Sequence, residues 1–177
     1  MTPYLYAHEN PHAPMRDNGR RFHGYPGRSQ KIRLIGLHTT ESLFDMIGED
    51  TGAEGVARFQ STTERPSSYH RIVDRDSTVL CLPDEATAFG IGKLNSPTLH
   101  LSFAMRAADW SDPVKAKAAR PMLERGAQVC ADWCRQYGIP LSWLTRGLAF
   151  GQARGFIRHG TADPGRRSDP GRDLPAE

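Results

Sequence analysis

The stretch KIRLIGLH, residues 31–38, is an apolar run rich in branched side chains that ends in a histidine. It reads as a buried strand. Thr39, Thr40 and Glu41 follow at its C-terminal end. A later run, GFIRH at residues 155–159, has the same form and also closes on a histidine. Groups placed at the carboxyl ends of neighbouring strands can converge on one crevice.

Working outward from the first run, residues 52–64 (TGAEGVARFQSTT) have helical character, with Val56, Phe59 and Gln60 spaced along one face. Pro66 stops that helix. Residues 68–73 (SYHRIV) alternate and read as a strand, 74–77 (DRDS) as a turn, and 78–82 (TVLCL) as the return strand of a hairpin. A loop bearing Gly, Asn and Pro runs through 83–97, and 99–105 (LHLSFAM) is another strand. From Pro113 to Tyr137 the pattern is one long helix with an apolar stripe of Val114, Ala118, Met122, Ala127, Cys130, Ala131 and Cys134. Gly138 ends it, and Pro121 should kink or split it. The order strand, helix, hairpin, strand, long helix, strand predicts an α/β fold, a mixed central β-sheet flanked by α-helices.

Residues 1–30 are rich in Pro, Gly, Arg and His and show no period, so they read as an irregular N-terminal arm or linker. His8, His12 and His23 lie in it as solvated histidines, and Pro11 keeps His8 and His12 off a shared helix face. The 177 residues suffice for one domain with a real core. A net charge of +3 suits contact with an anionic polymer, whether cell wall or nucleic acid. Three cysteines, an odd number, do not make a disulfide framework. No run approaches the roughly 18–20 apolar residues of a membrane helix, and the first 21 residues lack the apolar core of a signal peptide. The expectation is synthesis in the cytoplasm with no export signal, and no membrane partner.

His38 and His159 stand at the ends of their strands, and Asp169 follows ten residues after His159. Two imidazoles and a carboxylate with a fourth position open are what a catalytic zinc ion needs. Such a metal lowers the pKa of its water to about 7 and polarises a scissile carbonyl. Glu41, three residues past His38, is a natural general base beside it.

Three pieces, IGLHTTE (35–41), SSYHRIVDRDSTV (67–79) and GFIRHGTADPGRRSDPG (155–171), resemble in their order the type 2 N-acetylmuramoyl-L-alanine amidases, relatives of the peptidoglycan-recognition proteins. The resemblance spans residues 31–173, and the HTTE, SYH and RSDPG runs look closest to amidase domains of actinobacteriophage endolysins. It implies a mixed sheet flanked by helices with a zinc site at the strand ends, and residues 31–177 as the catalytic domain. It implies Zn2+ as cofactor, held by His38, His159 and Asp169. Asp163 is a competing acid in its own Asp-Pro-Gly run. The family's ligand is the acid of the second such run, after the basic pair Arg166-Arg167, which favours Asp169. Tyr69 matches a family tyrosine near the metal. Arg167 stands where many members have lysine; it keeps the charge that steadies an oxyanion but cannot readily give up a proton. The implied reaction is hydrolysis of the amide between muramic acid and L-alanine in bacterial peptidoglycan, by a monomer. The alternative is a peptidoglycan-binding module of the same fold that has lost catalysis.

Other residues carry plainer expectations. His70 should point to the sheet face opposite Tyr69 and be structural. His100 is structural, or borders the substrate groove with Asn95 and Ser96. Cys130 and Cys134 lie one helical turn apart as core cysteines, and Trp110, Trp133 and Trp143 are expected in the core. No strand interleaves basic and aromatic residues as single-strand nucleic-acid binders do, and no H-E-x-x-H helix marks a metalloprotease.

Overall fold

In the computed structural model, which describes residues 22–42 and 52–175 and the backbone of residues 5–6, the first apolar run forms the strand Leu34–Thr39 (β3). Its parallel neighbours are Thr98–Phe103 (β7) on one side and Gly155–Arg158 (β8) on the other. All six residues of β3 and all six of β7 are buried, as parallel strands covered on both faces require. Beyond β7 lies Arg71–Val73 (β4), parallel to it, then Thr78–Leu80 (β5), antiparallel to β4, and Leu5–Tyr6 (β1), parallel to β5. The sheet order is β1-β5-β4-β7-β3-β8. Gly24–Tyr25 (β2) and Thr87–Ala88 (β6) form a separate antiparallel pair. The fold is the mixed sheet with flanking helices that the sequence predicts.

Strand alternation sorts the two central strands into two faces. Ile35, Leu37, Leu99, Leu101 and Phe103 pack in one core with Met122, Val129 and Trp133 of the helix Arg120–Tyr137 (α3). The alternate set, Gly36, His38, His100 and Ser102, turns to the opposite face. That face therefore carries the small and polar residues, and the chemistry.

The predicted long helix is two: Pro113–Ala118 (α2) and α3, joined at Ala119. Asp112 caps α2 by accepting from the amides of Val114 and Lys115. Pro121 falls in the first turn of α3, where its missing N–H costs no helical bond. Gly138 ends α3 with φ of 63°. The buried stripe differs from the predicted one: Met122, Gly126, Val129 and Trp133 face the sheet, while Val114 and Ala127 are exposed. Trp133 falls on this stripe, where its indole N–H donates to the buried Asp84 carboxylate at 3.0 Å. Cys130 and Cys134 pack against this core as expected.

The predicted helix at 52–64 is Ala53–Thr62 (α1), but Ala53, Ala57, Gln60 and Ser61 are its buried residues and Phe59 is 58% exposed. Small residues let α1 lie close to β4 and β5, which leaves Phe59 on the outside. Two short helices were not predicted, Arg146–Gly151 (α4) and His159–Ala162 (α5). The irregular stretch expected at 1–30 falls partly outside the described residues, His8 and His12 included. Its described part is packed: Phe22 is fully buried, and His23 Nε2 lies 3.0 Å from the Thr63 carbonyl. Among the described residues no helix is long and apolar enough to cross a membrane.

Candidate metal centre

β3 and β8 run parallel and adjacent, so the residues leaving their carboxyl ends meet. His38 occupies the fifth position of β3, and His159 begins α5 directly after β8. The chain then turns back on itself: the Gly160 amide donates to the Asp169 carbonyl at 2.7 Å, which brings the Asp169 side chain under the two histidines. His38 Nδ1, His159 Nδ1 and Asp169 Oδ2 form a triangle with every edge 3.2 Å. All three residues are buried. Asp163 stands apart, its carboxylate paired with Arg166 Nε at 2.8 Å.

The triangle tests well against a metal ion. Two imidazole nitrogens and a carboxylate oxygen are the donor set of a catalytic zinc, and hard-cation sites take oxygen ligands instead. Tetrahedral bonds of about 2.0–2.1 Å put ligand atoms about 3.3 Å apart, close to the spacing found here. The electrostatics agree. Burial pulls the His38 imidazole down to about 4, against the pull of Asp169, so its ring is neutral at physiological pH. Burial alone would raise the Asp169 carboxyl, yet the adjacent His159 and His38 imidazoles hold it well below the usual range. A neutral His38 imidazole and an ionised Asp169 carboxylate are protonation states that suit a metal.

The triangle opens on a cleft of about 1110 Å³, whose lining includes Thr39, Glu41, Tyr69, His159, Arg167 and Asp169. The Tyr69 ring lies 5.0 Å from the His38 ring. Burial, then the charge of Asp169, pushes its phenol up to about 12, so it stays a proton donor. Glu41 is exposed and sits in the left-handed region with φ of 58°, uncommon for a residue with a side chain. Its Oε1 accepts from the Ala107 amide at 2.9 Å and from the Thr39 hydroxyl. Strained backbone of this kind clusters at functional sites. Arg167 is exposed on the rim. The structure thus gathers all six predicted site residues around one cleft, with Glu41 tethered beside the triangle rather than bonded to it.

Several cleft residues had no signal in the sequence. Tyr25 and Phe89 meet edge to face at 5.1 Å on its wall, each from a stretch read as irregular. Arg28 anchors that wall by donating to the carbonyls of Asp84, Ser96 and Thr98. His70 and His100 are both fully buried, His100 directly behind His38 and not on the groove. Trp110 and Trp133 are core residues as expected, but Trp143 is 44% exposed. It caps the sheet edge over Phe156, with the Arg158 guanidinium 4.8 Å above its ring.

Residues 28–172 match the model of the N-acetylmuramoyl-L-alanine amidase family. Compared with curated proteins by sequence, the chain matches none. Among solved structures it is similar to the catalytic domain of XlyA, at 13% identity over 92% of this chain and 87% of that one, with a TM-score of 0.61. A mutant endolysin from Bacillus subtilis is similar at 14% identity over 90% and 85%, with a TM-score of 0.59. The N-acetylmuramoyl-L-alanine amidase LysC from Clostridium intestinale gives 13% over 82% and 80%, with a TM-score of 0.52. At such identities these likenesses establish the fold.

Proposed function

The chain belongs to the N-acetylmuramoyl-L-alanine amidase family and hydrolyses the amide between muramic acid and L-alanine, and we propose that it does so with zinc held by His38, His159 and Asp169, as the catalytic domain of a phage-type endolysin. The observation that supports the metal is the 3.2 Å triangle of acceptor atoms facing the cleft. The endolysin reading rests on the kinship of fold with the B. subtilis endolysin. On this reading the domain works as a monomer on the bacterial wall, after synthesis in the host cytoplasm, with neither nucleic acid nor membrane as partner.

Zinc bound there supplies a Lewis acid for the scissile carbonyl and makes water acidic enough to attack at neutral pH. The chain's own residues do the rest. Tyr69, protonated and beside His38, donates a hydrogen bond to the developing oxyanion. Arg167 adds its positive charge from the rim. Glu41 has one oxygen tied to Ala107 and Thr39, which fixes the carboxylate so that the other oxygen takes the proton of the attacking water. The same proton then serves the departing amine of L-alanine.

The test is digestion of purified peptidoglycan with and without a chelator, with mass spectrometry of the products. The expected result is stem peptides beginning with free L-alanine, lost on chelation and restored by zinc. Cleavage indifferent to chelation would rule out the metal. A folded, zinc-loaded protein that only sediments with the wall would leave a binding module.

A further inference from the structure

Behind His38 lies a second buried set of histidines that the reaction does not use. His38 Nε2 is 3.0 Å from His100 Nδ1, and the two ring centroids are 5.2 Å apart. The His100 ring stacks on His70 at 5.6 Å with an interplanar angle of 9°. All three rings are fully buried.

The proton positions follow in series. A His38 Nδ1 that offers its lone pair to a cation leaves the ring proton on Nε2. That N–H then donates to His100 Nδ1, which places the His100 proton on Nε2. His70 Nδ1 in turn accepts from the His100 backbone amide at 2.9 Å. This leaves the His70 proton on its own Nε2, 3.1 Å from the Ala86 carbonyl. Arg28 Nη2, 2.7 Å from that nitrogen, is then its neighbour and not its donor.

Two features show that the surroundings are shaped to this ring. A Cβ on Gly90 would lie 2.4 Å from His100 Nδ1. No side chain fits there beside the imidazole. His100 Nε2 is also buried without a hydrogen-bond partner among the described residues. An orphaned buried donor carries a desolvation cost. An apolar residue of similar size would avoid that cost, so stability alone does not account for a histidine here.

We propose that His100 is a positioning residue for the metal centre: by accepting the Nε2 proton of His38, it fixes the tautomer and ring angle that aim Nδ1 at Asp169 and His159. The proposal rests on the zinc reading given above. A metal-bound histidine commonly gives its other N–H to a carboxylate, a backbone carbonyl or water, and loss of such a partner typically weakens the metal 10- to 100-fold. Here a second imidazole takes that place.

The experiment compares His100→Asn, whose amide oxygen can stand where Nδ1 stands, with His100→Leu, which has similar bulk and no acceptor. Zinc affinity is read by competition with a chromophoric chelator, and ligand geometry by the visible spectrum of the cobalt-substituted protein. Thermal unfolding of the metal-free variants reports the structural contribution separately. The expected result is a 10- to 100-fold loss of zinc affinity and an altered cobalt spectrum for His100→Leu. His100→Asn should stay within about threefold of the wild type with an unchanged spectrum, because it restores the acceptor. Should the leucine variant not fold, His100→Met gives the same contrast, since its flexible thioether fills the space without a comparable acceptor. Wild-type affinity in the variant without the acceptor, or equal losses in both, overturns the proposal while leaving the zinc reading intact. A wild-type protein that retains no zinc sinks both at once.

Discussion

Asp84 and Asp169 are buried to nearly the same depth, 8% and 7% exposed, and are partnered in opposite ways. Asp84 is surrounded by donors. Arg71 Nη2 reaches its Oδ1 at 2.9 Å, while Trp133 Nε1 and the Tyr137 hydroxyl reach Oδ2 at 3.0 and 3.1 Å. Asp169 faces two imidazole nitrogens that also face each other. Its cluster has more lone pairs than protons to share among them. A polar cluster that serves the fold closes its hydrogen bonds internally, whereas one that serves a cation is left rich in acceptors. The contrast sets a carboxylate that serves the fold against the one proposed to hold the metal.

The sharpest way to break the contrast is to remove each carboxylate. Asp169→Ala is expected to abolish amide hydrolysis and to release zinc on desalting, while the metal-free fold survives. Metal content and far-ultraviolet circular dichroism check both halves. Asp84→Ala should do the reverse. It leaves the Arg71 guanidinium, whose side chain is only 11% exposed, without its counter-charge, at a cost of about 3–5 kcal/mol in denaturant unfolding. Zinc affinity should be unchanged wherever the protein is folded. If Asp84→Ala lost zinc at full stability, the division of roles would be wrong.

Glu41 tests whether a carboxylate can be half satisfied and still work. Glu41→Gln keeps an oxygen for Ala107 and Thr39 but cannot take a proton, so turnover should fall about 10²- to 10⁴-fold with zinc retained. Tyr69→Phe removes only the donor to the oxyanion and should lose less than Glu41→Gln. Steady-state hydrolysis of a muropeptide substrate orders the two, and a Glu41→Gln enzyme as fast as wild type removes Glu41 from the mechanism.

The same reasoning shows what the sequence could and could not carry. β3 and β7 were legible because an apolar side chain recurs at every second step, Ile35 and Leu37 in one and Leu99, Leu101 and Phe103 in the other. The end of α3 was legible because Gly138 supplies a left-handed residue. His38 and His159 were legible because each closes its strand. The β2–β6 pair was not, since two-residue strands have no period to read. The stripe of α3 was misplaced because it includes Trp133, whose partner Asp84 lies 49 residues away. His100 could be assigned a strand but not a role, because alternation says which face a side chain takes and not which ring lies beside it.

Lowering the pH acts on the histidine-rich region. In the metal-free protein, burial lowers His38 from 6.5 to about 4 and lowers His70 and His100 in the same direction. Between those values the unfolded chain binds protons that the folded chain refuses, so stability is lost as pH falls from about 6.5 towards 4. One pKa unit is worth about 1.4 kcal/mol, which makes the His38 contribution about 3 kcal/mol. Urea unfolding at a series of pH values should show this decline. Asp74, which burial raises to about 6, works in the opposite direction over the same range, so the test is the difference between two curves: His100→Leu should decline less than the wild type because one of the refused protons is gone, and equal slopes contradict the burial of this ring.

The smallest effects expected concern two arginines, and they follow from the same contrast. Arg71 holds its region by shape as well as charge. Its Nη1 donates to the carbonyls of His70 and Leu82, each at 2.9 Å, while Nη2 takes Asp84, and the guanidinium lies 5.6 Å from the Trp133 ring centre. A lysine cannot reproduce that planar fork, so Arg71→Lys should cost about 1–3 kcal/mol of stability even though the charge is kept. Arg167 is exposed on the cleft rim and is asked only for a positive charge near the developing oxyanion. Arg167→Lys should therefore leave stability unchanged and turnover within about tenfold, whereas Arg167→Ala should fall further. A lysine at 167 that raised turnover with a new basic limb in the pH–rate profile would mean that this position can also deliver a proton, a step that the native arginine leaves to other groups.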